Sequence, residues 1–222
     1  MAGAKDTILW RVRRATRDVP EGERPEDVPI ERGYRKEGEA SRKEIVERFA
    51  EYVAEYKATV HRVNEAELPA TIEDLLKQRG VEKLVIPPQL PEEWIPDGVK
   101  TLRDVARPRL TNEELDGSDG VLTGCAQGIA QTGTIVLDAG EAQGRRALTL
   151  LPDYHLCVVR EDQIFDLVPE AFAKLDEVVK GAGRAVTFIS GPSATSDIEL
   201  NRVEGVHGPR TLEVLIVERT PV

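Results

Sequence analysis

Apolar residues along most of this chain alternate between helical and strand-like spacing. From Ile45 to Tyr56 they recur at helical spacing, and Ser41 with Glu44 gives the capping-box spacing just before them. Further helical patterns cover residues 71–79 and the region near 169–180. The short apolar runs that are typical of buried strands are Thr59–Val63, Lys83–Ile86, Gly120–Cys125, Thr134–Leu137, Tyr154–Val159, Ala185–Ile189 and Leu212–Val217. This order predicts an α/β fold with a mostly parallel sheet and helices on both faces.

The first 40 residues follow a different pattern. Residues 4–17 carry Ile8, Leu9 and Val12 at helical spacing with arginines between them, which predicts a short amphipathic helix. Residues 18–40 are rich in Pro, Glu, Gly and Arg and have no apolar period, as in a linker. We therefore expect a helical arm and linker over 1–40 and one α/β domain over 41–222.

Charge and composition limit the classes of partner. The 222 residues include 40 acidic and 30 basic side chains, which gives a formal net charge of −10. Such a surface repels nucleic-acid phosphates and anionic lipids, so we expect neither as a partner. The sequence has no run of about 18 apolar residues and no signal-peptide pattern at its start, and we expect a cytoplasmic protein that does not insert into membranes.

The loops at strand ends are the first places to search for a site, because ligands of parallel sheets bind beyond the carboxyl ends of the strands. Thr132-Gly133-Thr134 runs directly into a predicted strand. Gly133 permits a tight turn, and the two hydroxyl groups could bind a carboxylate or a phosphate. An ordinary turn is the simpler interpretation of this motif alone.

A second motif follows the predicted strand that ends at Ile189. A Gly-Pro break leads into a cluster of hydroxyl groups and then two carboxylates. Because these hydroxyls are good N-caps, we expect a helix to begin here, with free N–H groups that bind an anion. The carboxylates could instead cap those groups and close the site. The candidate residues are Ser190, Gly191, Ser193, Thr195, Asp197 and Glu199.

The third motif is the loop before the last predicted strand. His207 is a candidate here because an unperturbed histidine side chain, with a pKa of about 6.5, suits proton transfer or hydrogen bonding to a substrate oxygen. Gly208 gives the loop freedom, and Arg210 could hold a carboxylate through two hydrogen bonds. A histidine in a turn is more often structural, and that alternative stays open.

Several familiar devices are missing from the sequence. The glycine-rich motifs of dinucleotide and P-loop nucleotide binding do not occur, and neither does the nucleophile elbow of serine hydrolases. The three histidines stand far apart and have no metal-ligand spacing, so we expect no metal site. The two cysteines, Cys125 and Cys157, are too few for an iron–sulfur cluster with four cysteine ligands. We expect no cofactor on this chain.

Four segments, in this order, resemble the lactate-utilization C family of LUD-domain proteins. They are Thr132-Gly133-Thr134, Leu151-Pro152-x-x-His155, Ser190-Gly191-Pro192-Ser193-x-Thr195-x-Asp197-Ile198-Glu199 and Gly205-Val206-His207-Gly208-Pro209. The resemblance covers roughly residues 40–220 and implies a fold of the NagB/RpiA/CoA-transferase-like kind. It also implies partners, namely a cysteine-rich subunit and an iron–sulfur subunit that oxidise L-lactate to pyruvate. The family's C subunit has no settled catalytic role.

One position departs from the family pattern. Relatives usually carry Glu before Thr-Gly-[ST], whereas this chain has Gln131. An amide cannot act as a base or nucleophile at neutral pH, so the departure argues against covalent CoA-transferase chemistry at this position.

Three functional hypotheses follow. The leading one is an accessory, non-redox subunit of an iron–sulfur lactate oxidation system, whose loops at 132–134, 190–199 and 207–210 bind a small anionic metabolite. The second is a free-standing enzyme in which Glu199 or Asp197 works with His207 as general acid and base on a sugar phosphate or an acyl-CoA. The third is a structural adaptor that binds no ligand.

Overall fold

The computed structural model describes residues 3–20, 22–196, 202–204 and 207–218. Internal contacts divide the chain into two units, Met1–Tyr34 and Arg35–Val222. The first unit contains helix α1 (Ala4–Ala15), as predicted, and a short 3-10 turn over Pro25–Asp27. The apolar residues Ile8, Trp10 and Val12 of α1 are each more than half exposed.

The second unit contains helices α2 (Arg42–Glu55), α3 (Leu68–Gln78), α4 (Asn112–Asp116) and α5 (Val168–Ala182). The predicted capping box at the start of α2 is present, because the Ser41 N–H donates to the Glu44 carboxylate at 2.7 Å and the Glu44 N–H donates to Ser41 Oγ at 3.4 Å. No helix within the described part of the chain is long and apolar enough to cross a membrane.

The described residues form twelve strands. In chain order they are β1 (Thr59–Asn64), β2 (Lys83–Ile86), β3 (Lys100–Arg103), β4 (Gly120–Thr123), β5 (Gln127–Ile129), β6 (Thr134–Leu137), β7 (Tyr154–Arg160), β8 (Ile164–Phe165), β9 (Thr187–Ile189), β10 (Ala194–Ser196), β11 (Arg202–Glu204) and β12 (Thr211–Glu218). Six of them form an entirely parallel sheet in the order β1-β12-β7-β4-β2-β3. This sheet confirms the predicted α/β class.

The parallel sheet is covered on both faces. On one face, Leu122 and Leu156 of the sheet belong to a core cluster with Ile72 and Leu76 of α3. On the other face, Val214 belongs to a cluster with Phe49 and Val53 of α2 and with Ile135 of β6. Burial on both faces explains why β4 and β7 are continuous apolar runs rather than alternating patterns.

A second sheet of four strands lies beside α2 in the order β8-β5-β6-β9, with β6 antiparallel to both of its neighbours. The sequence predicted β6 and β9 but not their separate sheet. Two of the four strands, β5 and β9, have three residues each, and such short runs carry little periodicity of their own.

The helix expected after Ser193 does not begin within residues 194–196. The hydroxyl residues Thr195 and Ser196 belong instead to strand β10, which pairs antiparallel with β11, so that Ser196 lies opposite Arg202. The capping signal was local, whereas the strand depends on a partner several residues further along the chain. The prediction of a helix that begins directly after Ser193 or Thr195 is therefore wrong.

Candidate functional site

Two of the three predicted motifs meet at one cavity of about 220 Å³, which we call the amino-edge cavity. It lies at the amino ends of β7 and β12, where His155 and Leu212 are neighbours in the sheet. Its lining residues are Arg146, Thr149, His155, Phe188, Ile189, Ser190, Gly191, Pro192, Ser193, Ala194, His207, Gly208, Pro209 and Leu212.

Hydrogen bonds between the second and third motifs build the wall of this cavity. The Ser193 N–H donates to the Pro209 carbonyl at 2.8 Å, and the His207 N–H donates to Ser193 Oγ at 3.1 Å. Ser193 therefore joins the two loops through its backbone and its side chain. His207 is exposed at the rim.

Gly191 has a steric reason to be glycine. Its φ is +95°, and a Cβ atom there would lie 2.6 Å from Tyr56 Cβ, just past the end of α2. The residue lets the loop pass close to α2, which sets the position of the neighbouring Ser190.

The first motif contacts the cavity only through a chain of hydroxyl groups. Thr132 Oγ1 lies 2.7 Å from Thr134 Oγ1, which in turn lies 2.7 Å from Ser190 Oγ. Gly133 packs against α2, since a Cβ atom on it would lie 2.6 Å from the Tyr52 carbonyl carbon. Residues 132–134 thus support the site from behind and do not line it.

The sequence reasoning missed Arg146, the cation of this cavity. Its Nη1 donates to the Thr149 carbonyl at 2.7 Å and to Thr149 Oγ1 at 3.1 Å, and its Nη2 lies 3.5 Å from the His207 carbonyl. Partial burial lowers its pKa, although the residue as a whole stays exposed. No carboxylate of a described residue pairs with this guanidinium, so it can accept an external anion.

Arg210, which the sequence favoured as the anion clamp, is engaged elsewhere. Its Nε donates to Asp153 Oδ1 at 2.7 Å, and its Nη2 lies 2.6 Å from Asp153 Oδ2. These contacts hold the pKa of the Asp153 carboxyl below its usual range. Of these two arginines, Arg146 lines the amino-edge cavity and Arg210 does not.

His155 lies at the base of the cavity and is 1% exposed. Its Nε2 lies 2.8 Å from Thr123 Oγ1, and Thr123 Oγ1 is in turn 3.9 Å from Cys157 Sγ. This buried polar chain fixes the ring of His155. The sequence offered one signal for His155 as a site residue, namely its position in the Leu-Pro-x-x-His segment that resembles the family.

Several predicted residues have other positions. Asp197 and Glu199 lie outside the described residues, and the side chain of Thr195 is not described. Gln131 contacts α5 rather than the cavity, because its Oε1 accepts the Val168 N–H at 3.1 Å in the first turn of that helix. An amide oxygen is sufficient for this contact.

A larger cavity of about 580 Å³ lies at the opposite end of the sheet, and we call it the carboxyl-edge cavity. It follows the carboxyl ends of β2, β4 and β7, where the rule for parallel sheets places ligands. The motif at 207–210 precedes β12, so it lies at the amino end and not at the end that this rule favours. Residues lining the larger cavity include Gln89, Trp94, Cys125, Gln127, Asp138, Glu141, Gln143, Arg160, Gln163 and Arg184.

Comparison with known proteins agrees with this architecture. The family model of the LUD domain matches residues 46–217. A protein of Deinococcus radiodurans named lactate utilization protein C is 45% identical over 216 residues, which cover 97% of this chain and 96% of that protein. A protein of the same name from Geobacillus kaustophilus is 31% identical over 134 residues, covering 58% of this chain and 55% of that protein.

A solved structure is similar as well. The crystal structure of a DUF162 family protein from Deinococcus radiodurans superposes with a TM-score of 0.70 and 41% sequence identity. The match covers 80% of this chain and 99% of that one.

Proposed function

The chain belongs to the LUD domain family, and from this premise we propose that it serves lactate utilization as an accessory, non-redox subunit of an iron–sulfur lactate oxidation system. The name of the Deinococcus radiodurans relative, lactate utilization protein C, supports a role in lactate utilization. Its final letter fits a system of several proteins. Iron–sulfur clusters usually need four cysteine ligands, and this chain has two cysteines. The proposal therefore assigns the clusters to partner subunits.

The observation that carries a ligand proposal is the guanidinium of Arg146 in the amino-edge cavity. It is accessible, it is held in place by Thr149, and no described carboxylate neutralises it. A guanidinium binds a carboxylate through charge-assisted hydrogen bonds. The cavity is smaller than the roughly 300–1,000 Å³ of drug-sized sites, which suits a molecule of a few heavy atoms.

A small 2-hydroxy or 2-keto acid matches these groups best. Its carboxylate would contact Arg146, and its hydroxyl or keto oxygen would lie near Ser190 and His207, both exposed at the cavity. Ser193 Oγ accepts the His207 N–H, which makes the loop rigid and leaves the Ser193 hydroxyl as a donor toward the ligand. We therefore propose L-lactate or pyruvate as the ligand class.

Titration calorimetry with L-lactate, pyruvate and inorganic phosphate tests this site. Arg146→Gln removes the charge and should weaken binding of the preferred anion by about 10-fold or more, the usual effect of losing a hydrogen bond to a charged group. Arg210→Gln is the matched control and should change the affinity less than about 2-fold, since Arg210 pairs with Asp153. Equal affinity in wild type and Arg146→Gln would refute the anion site. If only Arg210→Gln weakened anion binding, Arg210 would be the anion-binding residue, as the sequence suggested.

The subunit role has its own test. Tagged chain should be purified anaerobically from lactate-grown cells, and we expect iron–sulfur polypeptides to co-purify in a fixed ratio. Recovery of the chain alone, under conditions that preserve clusters, would contradict the proposal. Turnover of a sugar phosphate or an acyl-CoA by the isolated chain, lost in His207→Ala, would favour the free-standing enzyme instead.

A further inference from the structure

We propose that the carboxyl-edge cavity is a second binding site, which takes an uncharged ligand with neighbouring hydroxyl groups, such as a nucleoside or a free sugar. This site shares no lining residue with the amino-edge cavity and does not depend on its function. The inference rests on an unsatisfied buried amide, on the pairing of both lining arginines with carboxylates, and on the size and place of the cavity.

Gln127 carries the first argument. The residue is 7% exposed, it lines the cavity, and its Oε1 is buried without a hydrogen-bond partner among the described residues. An unsatisfied buried amide costs free energy, so such a group is normally paired with protein, water or ligand. A ligand hydroxyl both donates and accepts, and it would therefore satisfy the amide in either orientation.

The charges argue for a neutral ligand. Two acidic residues, Asp138 and Glu141, and two basic residues, Arg160 and Arg184, line the cavity, so their formal charges cancel. Arg184 lies 3.0 Å from Asp138 Oδ2. Asp138 Oδ1 also accepts the Gly140 N–H at 2.9 Å.

Arg160 is held in the same way. Its two terminal nitrogens contact Glu65 at 2.8 and 2.9 Å. A ligand carboxylate or phosphate would have to compete with these internal carboxylates for each arginine. The amino-edge cavity differs in this respect, because Arg146 has no such partner among the described residues.

Size and place support a ligand larger than lactate. The volume of about 580 Å³ lies within the range of roughly 300–1,000 Å³ that is common for metabolite sites. The amide side chains of Gln89, Gln143 and Gln163 add polar groups to the wall. One of them, Gln143, is 4% exposed and is held by the Asp138 N–H, so this part of the wall is already ordered.

The chain offers a built-in reporter for the test. Of its two tryptophans, Trp94 lines the carboxyl-edge cavity, whereas Trp10 lies on α1 and is 58% exposed. Trp10→Phe therefore leaves Trp94 as the single tryptophan, whose fluorescence is excited selectively over that of the tyrosines at about 295 nm. Adenosine, D-ribose and adenosine monophosphate should be titrated into this full-length variant, with calorimetry as a second readout.

We expect saturable binding of adenosine, of D-ribose or of both, and the pattern distinguishes a nucleoside from a free sugar. Gln127→Met, which keeps the side-chain length but removes the amide, should weaken that binding by about 3- to 10-fold. Gln78→Met, the same substitution on the exposed end of α3, should have no effect. Arg146→Gln should also leave this binding unchanged, so failure here is distinguishable from failure of the anion site.

Three results would overturn the proposal. The first is absence of saturable binding for both neutral probes. The second is tighter binding of the monophosphate than of adenosine, which would make this an anion site. The third is unchanged affinity in a Gln127→Met variant whose circular dichroism spectrum and melting temperature match those of the parent.

Discussion

The contact between Gly133 and α2 predicts a large loss of stability from a single added methyl group. Gly133 has a φ of +57°, and a Cβ atom there would lie 2.6 Å from the Tyr52 carbonyl carbon and 2.8 Å from the Val53 nitrogen. Because these are backbone atoms of a packed helix, no side-chain rotation can relieve the overlap. Gly133→Ala should therefore lower the free energy of unfolding.

The expected magnitude combines three contributions. A left-handed backbone conformation costs a non-glycine residue about 1–2 kcal/mol. Overpacking costs about 1–3 kcal/mol, and the stiffer unfolded chain of alanine returns about 0.4–1 kcal/mol. We expect a net loss of about 3 kcal/mol, which corresponds to a fall of roughly 6–12 °C in melting temperature for a chain of this size.

Gly80→Ala is the matched control. Gly80 has nearly the same φ, +66°, but a Cβ atom there would have no atom of the described residues within 4 Å. It should lose only about 1 kcal/mol, from backbone strain alone. Urea denaturation followed by circular dichroism measures both changes, and the m-values should stay equal. If the two variants lose the same stability, the close packing of Gly133 against α2 is refuted.

Three further predictions concern other contacts. Burial alone would raise the pKa of Glu213, but hydrogen bonds from Arg79 and Tyr154 outweigh burial and lower this pKa below its usual range. The ionised carboxylate therefore stabilises the fold at neutral pH. This stabilisation is lost as the pH falls through the lowered pKa. Glu213→Gln should cost about 1–3 kcal/mol at pH 7, and urea titrations should show the difference from wild type shrinking below about pH 4; a pH-independent difference would contradict this assignment. Ser41→Ala removes the cap of α2 and should lower the free energy of unfolding by about 1 kcal/mol in urea titrations, whereas no change would mean that the cap is dispensable. The neighbouring Cys157 side chain, together with burial, raises the pKa of Cys125. Alkylation of Cys125 by iodoacetamide at pH 7 should therefore be much slower than that of a free thiol. Rapid labelling of Cys125 would count against this environment.

The parallel sheet could be predicted from the sequence because its strands are apolar runs between clear breaks. Strand β2 has the predicted bounds, and the predicted bounds of β1 and β7 each differ from the observed ones by one residue. Such runs are visible locally since a strand buried on both faces needs only apolar residues. Strand β3 was missed, because its residues Lys100–Arg103 are half-exposed or exposed and include two charged side chains.

The candidate site was only partly predictable for a related reason. The motifs at 190–193 and 207–208 do meet, as their closeness in sequence suggested. No local pattern ranks the arginines, however, because the role of each one depends on a distant partner. Arg145 pairs with Asp104 at 2.8 Å and Arg210 pairs with Asp153, which leaves Arg146 for the cavity. That choice is made by tertiary contacts and has no local signature.

Strand β7 has one further consequence for the two cavities. His155, near its first residue, lines the amino-edge cavity, whereas Val158 and Arg160, near its last, line the carboxyl-edge cavity. At about 3.3 Å per residue, these lining positions stand roughly 10–16 Å apart along one central strand. Two occupants would not touch, so they should bind non-competitively and form a ternary complex. Strand β7, which lines both cavities, is one element through which any cooperativity between them would pass.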